Sequence, residues 1–103
     1  PDCATVERNE PVIKTWELKN TGTVAWEGRY LHRINADEGD PDCRAPDRVA
    51  IADTPPGDTV QVSVPVTTPD NATICFARWM QTDAEGAFTF PEQRPYFYTF
   101  KVR

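Results

Sequence analysis

Three cysteines, a single histidine and a tight run of carboxylates are the side chains of this sequence with chemistry to offer. Cys3, Cys43 and Cys75 are too widely spaced for a zinc site of the Cys-x-x-Cys kind. They allow three single pairings, each leaving one thiol over. In an oxidising compartment we expect one bridge, tying the Cys43 loop to the body of the fold; in a cytoplasm all three would stay free. A Cys–His hydrolase would need His32 beside Cys43 or Cys75, with a third group to orient it. No local motif supplies that arrangement, and there is no phosphate-binding glycine loop. Asp37, Glu38, Asp40 and Asp42 place four carboxylates within six residues. Calcium takes about six to eight oxygens, but the spacing does not follow the EF-hand pattern of alternating ligands, a central glycine and a distal Glu. A solvated acidic loop is the plainer expectation. Asn71-Ala72-Thr73 fits an N-glycosylation acceptor, which matters only in a eukaryotic secreted protein. We expect no catalytic residues, no metal and no cofactor.

Aromatic and arginine side chains are the better candidates for function. Phe88, Phe90, Tyr96, Phe97, Tyr98 and Phe100 put six aromatics within thirteen residues. On alternating strands they cannot all face a core. In the run from Tyr96, Tyr98 and Phe100 share one face and Phe97 and Thr99 the other. Some of these rings are expected at a surface, where Tyr suits an interface because its ring is apolar and its hydroxyl stays wet. Trp16 and Trp79 read as core residues from their strand positions, whereas Trp26 follows a turn and is expected to be partly exposed. Arg29 and Arg33 flank Tyr30 and Leu31, framing an acidic or peptide partner or serving as edge-strand charges that discourage aggregation. The candidate binding residues are therefore Trp26, Arg29, Tyr30, Tyr96 and Tyr98.

The elements that must position these side chains are strands. Nine Val, four Ile and twelve Thr stand against two Leu and one Met, which disfavours helices and favours strands. Ten prolines and five glycines interrupt the chain at short intervals, as in a sandwich or barrel of short strands. Val12 to Asn20 puts Val12, Trp16 and Leu18 on one face by period two, with Lys14 breaking that face and snorkelling at an edge. Asn20-Thr21-Gly22-Thr23 reads as a turn in which Gly22 takes a positive φ. Val24 to Ile34 is a second extended run, forming a hairpin or a sandwich corner with the first. Ala36 to Pro46 reads as a loop, and Arg48 to Ala52 as a short strand. Pro55-Pro56-Gly57-Asp58 is a turn. Val60, Val62, Val64 and Val66 then alternate with Gln61, Ser63, Pro65 and Thr67 in a half-buried strand, with Pro65 marking an edge or a bulge. Thr73 to Gln81 is a strand of open facing: either Cys75, Ala77 and Trp79 point inward, or Ile74, Phe76 and Met80 do. Asp83 to Gly86 is a hairpin turn, and strands over Ala87 to Phe90 and Tyr96 to Val102 close the fold.

Composition bounds the function. At 103 residues the chain is one domain. It carries 11 basic and 16 acidic residues, a net charge of −5. That argues against nucleic acid or an anionic membrane as the main partner, since both need a basic footprint. No apolar run approaches the roughly 20 residues of a membrane-spanning helix. The chain opens on Pro1, and we read it as a domain excised from a larger chain.

The segment Lys14 to Trp26, KTWELKNTGTVAW, resembles the signature of the four-tryptophan (FW) domain, the immunoglobulin-like domain of a eukaryotic selective-autophagy cargo receptor. Trp16, Leu18, Asn20, Gly22 and Trp26 match the family pattern. So do the PGDTVQVSVPVTTP segment, Trp79 and the Asp83–Gly86 turn. The place of the fourth tryptophan is taken by Phe97, which the resemblance makes a packing residue. The stretches GRYLHRI and PPGDTV look closest to actinobacterial versions, which are commonly joined to helix-turn-helix regulators or membrane-anchored proteins. The resemblance implies an all-β immunoglobulin-like sandwich of about seven antiparallel strands, used as a protein-binding module. The bond between the two sheets of an antibody domain needs a cysteine on the second strand; Trp16 stands there instead. We expect a non-catalytic protein- or peptide-binding module of a larger bacterial protein, extracellular or at the cell surface, with a cytoplasmic setting as the alternative. The rival readings are a structural spacer and a carbohydrate-binding module. The latter requires a flat row of exposed Trp or Tyr.

Overall fold

The computed structural model describes residues 3–34 and 43–103. Among the described residues there are seven strands: β1 (Cys3–Val6), β2 (Pro11–Lys19), β3 (Arg29–Arg33), β4 (Arg48–Ile51), β5 (Thr59–Thr67), β6 (Thr73–Thr82) and β7 (Tyr96–Val102). They form a five-stranded sheet in the order β1-β7-β6-β3-β4 and a two-stranded sheet, β2-β5. The inner faces of both sheets meet in one core that includes Leu18, Leu31, Val62, Val64, Val66, Ala77, Trp79, Tyr98 and Val102. Burying each of the larger apolar side chains contributes about 1.5–3 kcal/mol.

Alternation explains these strands. In β5 the even-numbered valines from Val62 to Val66 are buried and the residues between them are exposed. Its ladder partner is β2, paired from Pro11↔Thr67 to Lys19↔Thr59. Beyond β2, among the described residues β5 makes only an isolated bridge, Arg44↔Thr67, so it is an edge strand there, where Pro65 is tolerated. Lys14 lies on the inner row of β2, with its Nζ 5.8 Å from the centre of the Trp16 ring. That is the snorkelling geometry expected at an edge.

Several expectations are corrected. The sandwich is not wholly antiparallel, because β1 runs parallel to β7. Parallel neighbours need a long connection, and here almost the whole domain provides it. Ala87–Phe90 forms no strand: Phe88 makes one bridge to Thr82, and Pro91 removes a backbone donor just beyond. The run from Val24 shortens to Arg29–Arg33, since Gly28 has φ +62° and breaks it. β2 and β3 lie in different sheets, so the connection between them is a corner and not a hairpin. Arg29 and Arg33 are not edge-strand charges, because β3 lies between β6 and β4.

The facing of β6 is settled in favour of Cys75, Ala77 and Trp79, each fully buried. Ile74 and Phe76 point outward, while Met80 on their side is buried as well. The expected bridge is Cys43–Cys75, with Cα atoms 5.6 Å apart. It links residues 32 apart, and closing a loop of that size removes about 3–4 kcal/mol of unfolded-chain entropy. Both sulfur-bearing residues are buried. The candidate calcium ligands Asp37, Glu38, Asp40 and Asp42 lie outside the described residues.

Candidate functional site

The predicted site residues fall into two regions. The first is a corner at the end of β2. Asn20 is 1% exposed, and its side chain is fully engaged. Its Nδ2 donates to the carbonyls of Val24 at 2.9 Å and Thr54 at 3.0 Å, and its Oδ1 accepts from the Gly22 amide at 3.1 Å. Its backbone amide donates to Asp58 O, and its carbonyl accepts from Gly57 N. A buried amide with all these partners fixes the corner, because leaving any of them unmet is costly. Gly57 has φ +87° and follows Pro56, with Asp58 N donating to Pro55 O. This is the Pro-Gly arrangement of a type II turn. Gly22 does not take the positive φ expected of it; its amide donates to Oδ1 of Asn20, and a Cβ there would lie 3.5 Å from that oxygen.

Trp26 sits on the same corner. Its amide donates to Thr54 O and its carbonyl accepts from Thr54 N. Its ring tilts against Phe90, with centroids 6.1 Å apart. At 6% exposure it is not the partly exposed anchor expected of it, since these contacts cover it. Trp16 is half-buried, packing on Trp79, Tyr96 and Tyr98 at 6.0–6.4 Å. A small mixed pocket of about 300 Å3 lies at this end, lined by Lys19, Trp26, Phe90, Gln93 and Tyr96 among others. Here Trp26 and Tyr96 of the candidate set come together, with the Tyr96 hydroxyl accepting from Gln93 Nε2 at 2.6 Å.

The remaining candidates are held in the fold. Tyr98 is 2% exposed, stacked on Phe100 at 5.0 Å, so it offers no surface. Burial raises its phenol pKa, and the nearby Arg33 guanidinium pulls it the other way. Among the described residues, nothing accepts or donates a hydrogen bond at its hydroxyl. Arg29 Nη1 donates to Oε1 of the buried Gln81 at 2.8 Å. The Tyr30 ring is half-buried beneath the Arg48 guanidinium, 4.1 Å from its centre. Cys43 and Cys75 share a disulfide, so neither offers a thiol to His32. No group of three His, Cys, Asp or Glu suited to a metal occurs among the described residues.

The second region is the outer face of β6 and β7. Ile74, Phe76 and Phe97 are 58%, 39% and 44% exposed. The register pairs Ile74 with Lys101, Phe76 with Thr99 and Arg78 with Phe97. The Phe76 and Phe97 rings lie 6.4 Å apart. Together with Arg78, Arg94 and Pro95 they line an open, largely apolar groove of about 340 Å3. Phe97 is therefore not the buried packing residue its place in the signature implies. It alternates with Tyr96 and Tyr98, whose rings take the inner positions. Ile74, Phe76, Arg94 and Pro95 are the surface residues that reading the sequence did not assign. The signal available was the inward choice for Cys75, Ala77 and Trp79, which sends Phe76 outward.

The family model of the Ig-like domain from next to BRCA1 gene matches residues 1–93. The chain belongs to this Ig-like family. A search of curated proteins finds no significant match. The match and the two-sheet architecture agree on an immunoglobulin-like β-sandwich. In this Ig-like domain Trp16, Leu18, Asn20, Gly22 and Trp26 build the β2 end and its corner, and Trp79 lies in the core beneath them.

Proposed function

We propose that this Ig-like domain is a non-catalytic protein- or peptide-binding module of a larger bacterial protein, of the four-tryptophan type, and that its docking surface is the outer face of β6 and β7. One observation carries the reading. Three large apolar side chains stand exposed side by side on a sheet face, where an antiparallel sandwich ordinarily turns polar residues to water. Contiguous apolar patches of this kind mark interaction sites. Aromatic anchors in a groove with charges at its rim match the anatomy of protein interfaces. Tyr30 and Tyr96 are half-buried and the described tryptophans are covered to a similar or greater degree, so the flat row of exposed rings that a carbohydrate module needs finds no support. The buried Cys43–Cys75 bridge favours an extracellular or cell-surface setting.

The test is affinity capture from lysate and envelope fractions, with the folded domain and its Phe97→Ser variant as parallel baits. A specific protein that the native domain retains and the variant binds at least ~10-fold more weakly supports the reading. A protein held equally by both moves the surface elsewhere. The absence of any competable partner favours a spacer.

A further inference from the structure

The two sheets differ in width. The larger has five strands and the smaller only β2 and β5. Hydrogen bonds just beyond either end of the β2–β5 ladder show which backbone groups of β2 are spent. Thr68 N donates to Glu10 O at 3.0 Å, and Asn20 N donates to Asp58 O at 2.9 Å. Both pairs continue the register that runs from Pro11↔Thr67 to Lys19↔Thr59, and hydrogen-bonded pairs alternate along an antiparallel ladder. Even-numbered residues of β2 therefore bond to β5. Ile13, Thr15, Glu17 and Lys19 turn their N–H and C=O groups the other way, along the free edge, and no described residue meets them there. All four residues are exposed. The inner row of this edge strand is Val12, Lys14, Trp16 and Leu18. Val12 and Trp16 are only half-buried, as are Ala4 and Val6 on β1, although all four pack against the core. Trp16 lies on Tyr96 and Tyr98 of the β7 end, and β1 is the next strand beyond β7. The space beside β2 thus opens over half-covered apolar surface of the larger sheet.

We infer that the free edge of β2 takes an extended segment of a partner protein as a third, antiparallel strand of the smaller sheet, with a carboxylate of that segment opposite Lys14. This surface is separate from the outer face of β6 and β7 and does not depend on it. A row of outward N–H and C=O groups at every second residue is matched by the backbone of another strand. Lys14 selects which strand. Its Nζ rests 5.8 Å from the centre of the Trp16 ring and makes no hydrogen bond or ion pair with a described residue. An inward-pointing charge on an edge strand guards it against apolar strands, because pairing would cover the ammonium with nothing to neutralise it. A carboxylate at the opposed position turns that cost into an ion pair. The opposition is close, because the even positions of β2 are the non-hydrogen-bonded pairs of the new ladder, where side chains approach most nearly. Two residues to either side, opposite Val12 and Trp16, the segment carries apolar side chains that cover them. A second copy does not supply this strand. Only odd residues of β2 offer free groups, so within the strand β2 against β2 sets Lys14 beside Val12, Lys14, Trp16 or Leu18, and none of these is acidic. The other outermost strands, β1, β4 and β5, contain no Asp or Glu.

The test uses three synthetic nine-residue peptides of alternating Val and Thr, in which the central Val is kept, replaced by Glu or replaced by Lys. Amide chemical shifts and hydrogen exchange of the intact domain report binding at about 50 mM salt, where charge contacts are weakly screened. With the Glu peptide at about ten times its Kd, exchange at Ile13, Thr15 and Glu17 should slow by ~10-fold, while the amides of Lys14 and Trp16, already bonded to β5, change little. The Kd of the Glu peptide should lie at least ~10-fold below those of the Val and Lys peptides. Lys14→Glu should reverse the order in favour of the Lys peptide, a gain that misfolding cannot mimic. Thr15→Pro removes one outward donor at an edge position where proline is tolerated, and should weaken the Glu peptide by about 5-fold. Phe97→Ser should leave this binding unchanged. Equal affinity for the Glu and Val peptides overturns the acidic strand. Slowed exchange at these amides that follows protein concentration without peptide means a second copy and overturns it too. Peptide shifts confined to Phe76 and Phe97 overturn the edge and leave the outer-face reading standing, and no response to any peptide overturns the edge as well.

Discussion

The corner around Asn20 and the groove between Phe76 and Phe97 use aromatic residues in opposite ways. At the corner, Trp26 is covered and Asn20 has its side-chain hydrogen-bonding groups engaged. On the outer face of β6 and β7, comparably large rings stand in water beside cations. Leu18, Asn20 and Trp26, which carry the resemblance, are thus taken up by the fold. The rings left exposed lie on the outer face of β6 and β7, and one of them, Phe97, stands at the place of the signature's fourth tryptophan, where alternation turns it outward. In this molecule most of the motif marks architecture, and burial leaves the outer side chains of β6 and β7 undecided.

This contrast can be broken most decisively at Trp26. Trp26→Ala should destabilise the domain by about 3–5 kcal/mol, measured by urea unfolding. If it instead spared stability and abolished partner binding, the corner would be the site. Asn20→Asp is nearly isosteric but removes both Nδ2 donors and sets a carboxylate against the Val24 and Thr54 carbonyls. A loss of about 3 kcal/mol is expected, and an unchanged denaturation midpoint would refute the role given to this amide.

Tyr98→Phe should be mild at neutral pH, within about 1 kcal/mol, because the hydroxyl has no hydrogen-bond partner among the described residues. Its pH dependence sharpens the point. Burial raises the Tyr98 phenol above its ordinary value of 10.0, so the folded state holds this proton more tightly than the unfolded chain does. That contribution is complete below the ordinary value and is lost as pH climbs through the folded one. Thermal melts from about pH 8 to pH 11 should therefore fall less steeply for Tyr98→Phe than for the native protein. Parallel slopes would place the phenol in water. At the small end, Phe97→Ser should change stability by no more than about 0.5 kcal/mol. A large loss would return Phe97 to the packing role that its place in the signature implied.

Much of the fold was legible because hydrophobic period is a local property. β5 was bounded correctly by its four valines, and β7 by its aromatic alternation. The Pro-Gly and Asp83–Gly86 turns were legible from their residues: Asp83 Oδ1 accepts from the amides of Glu85 and Ala87, each at 2.9 Å. β1 escaped notice because four residues carry little periodicity, and its place beside β7 joins the two ends of the chain. The candidate site was less legible. Trp26 and Tyr98 were taken for surface anchors, but exposure depends on which neighbour covers a ring. Trp26 is covered by Phe90, 64 positions away along the chain.

The sequence by itself determined an all-β immunoglobulin-like fold, most of its strands and a surplus of aromatics too large for one core. Tertiary structure alone decided which cysteines pair, which face of β6 is buried, and which rings meet water. The physical reason is that alternation assigns residues to one of two faces without saying which face is the core. That choice belongs to the packing of one sheet on the other, where Trp16 meets Trp79 and Tyr98 and leaves Phe76 and Phe97 outside.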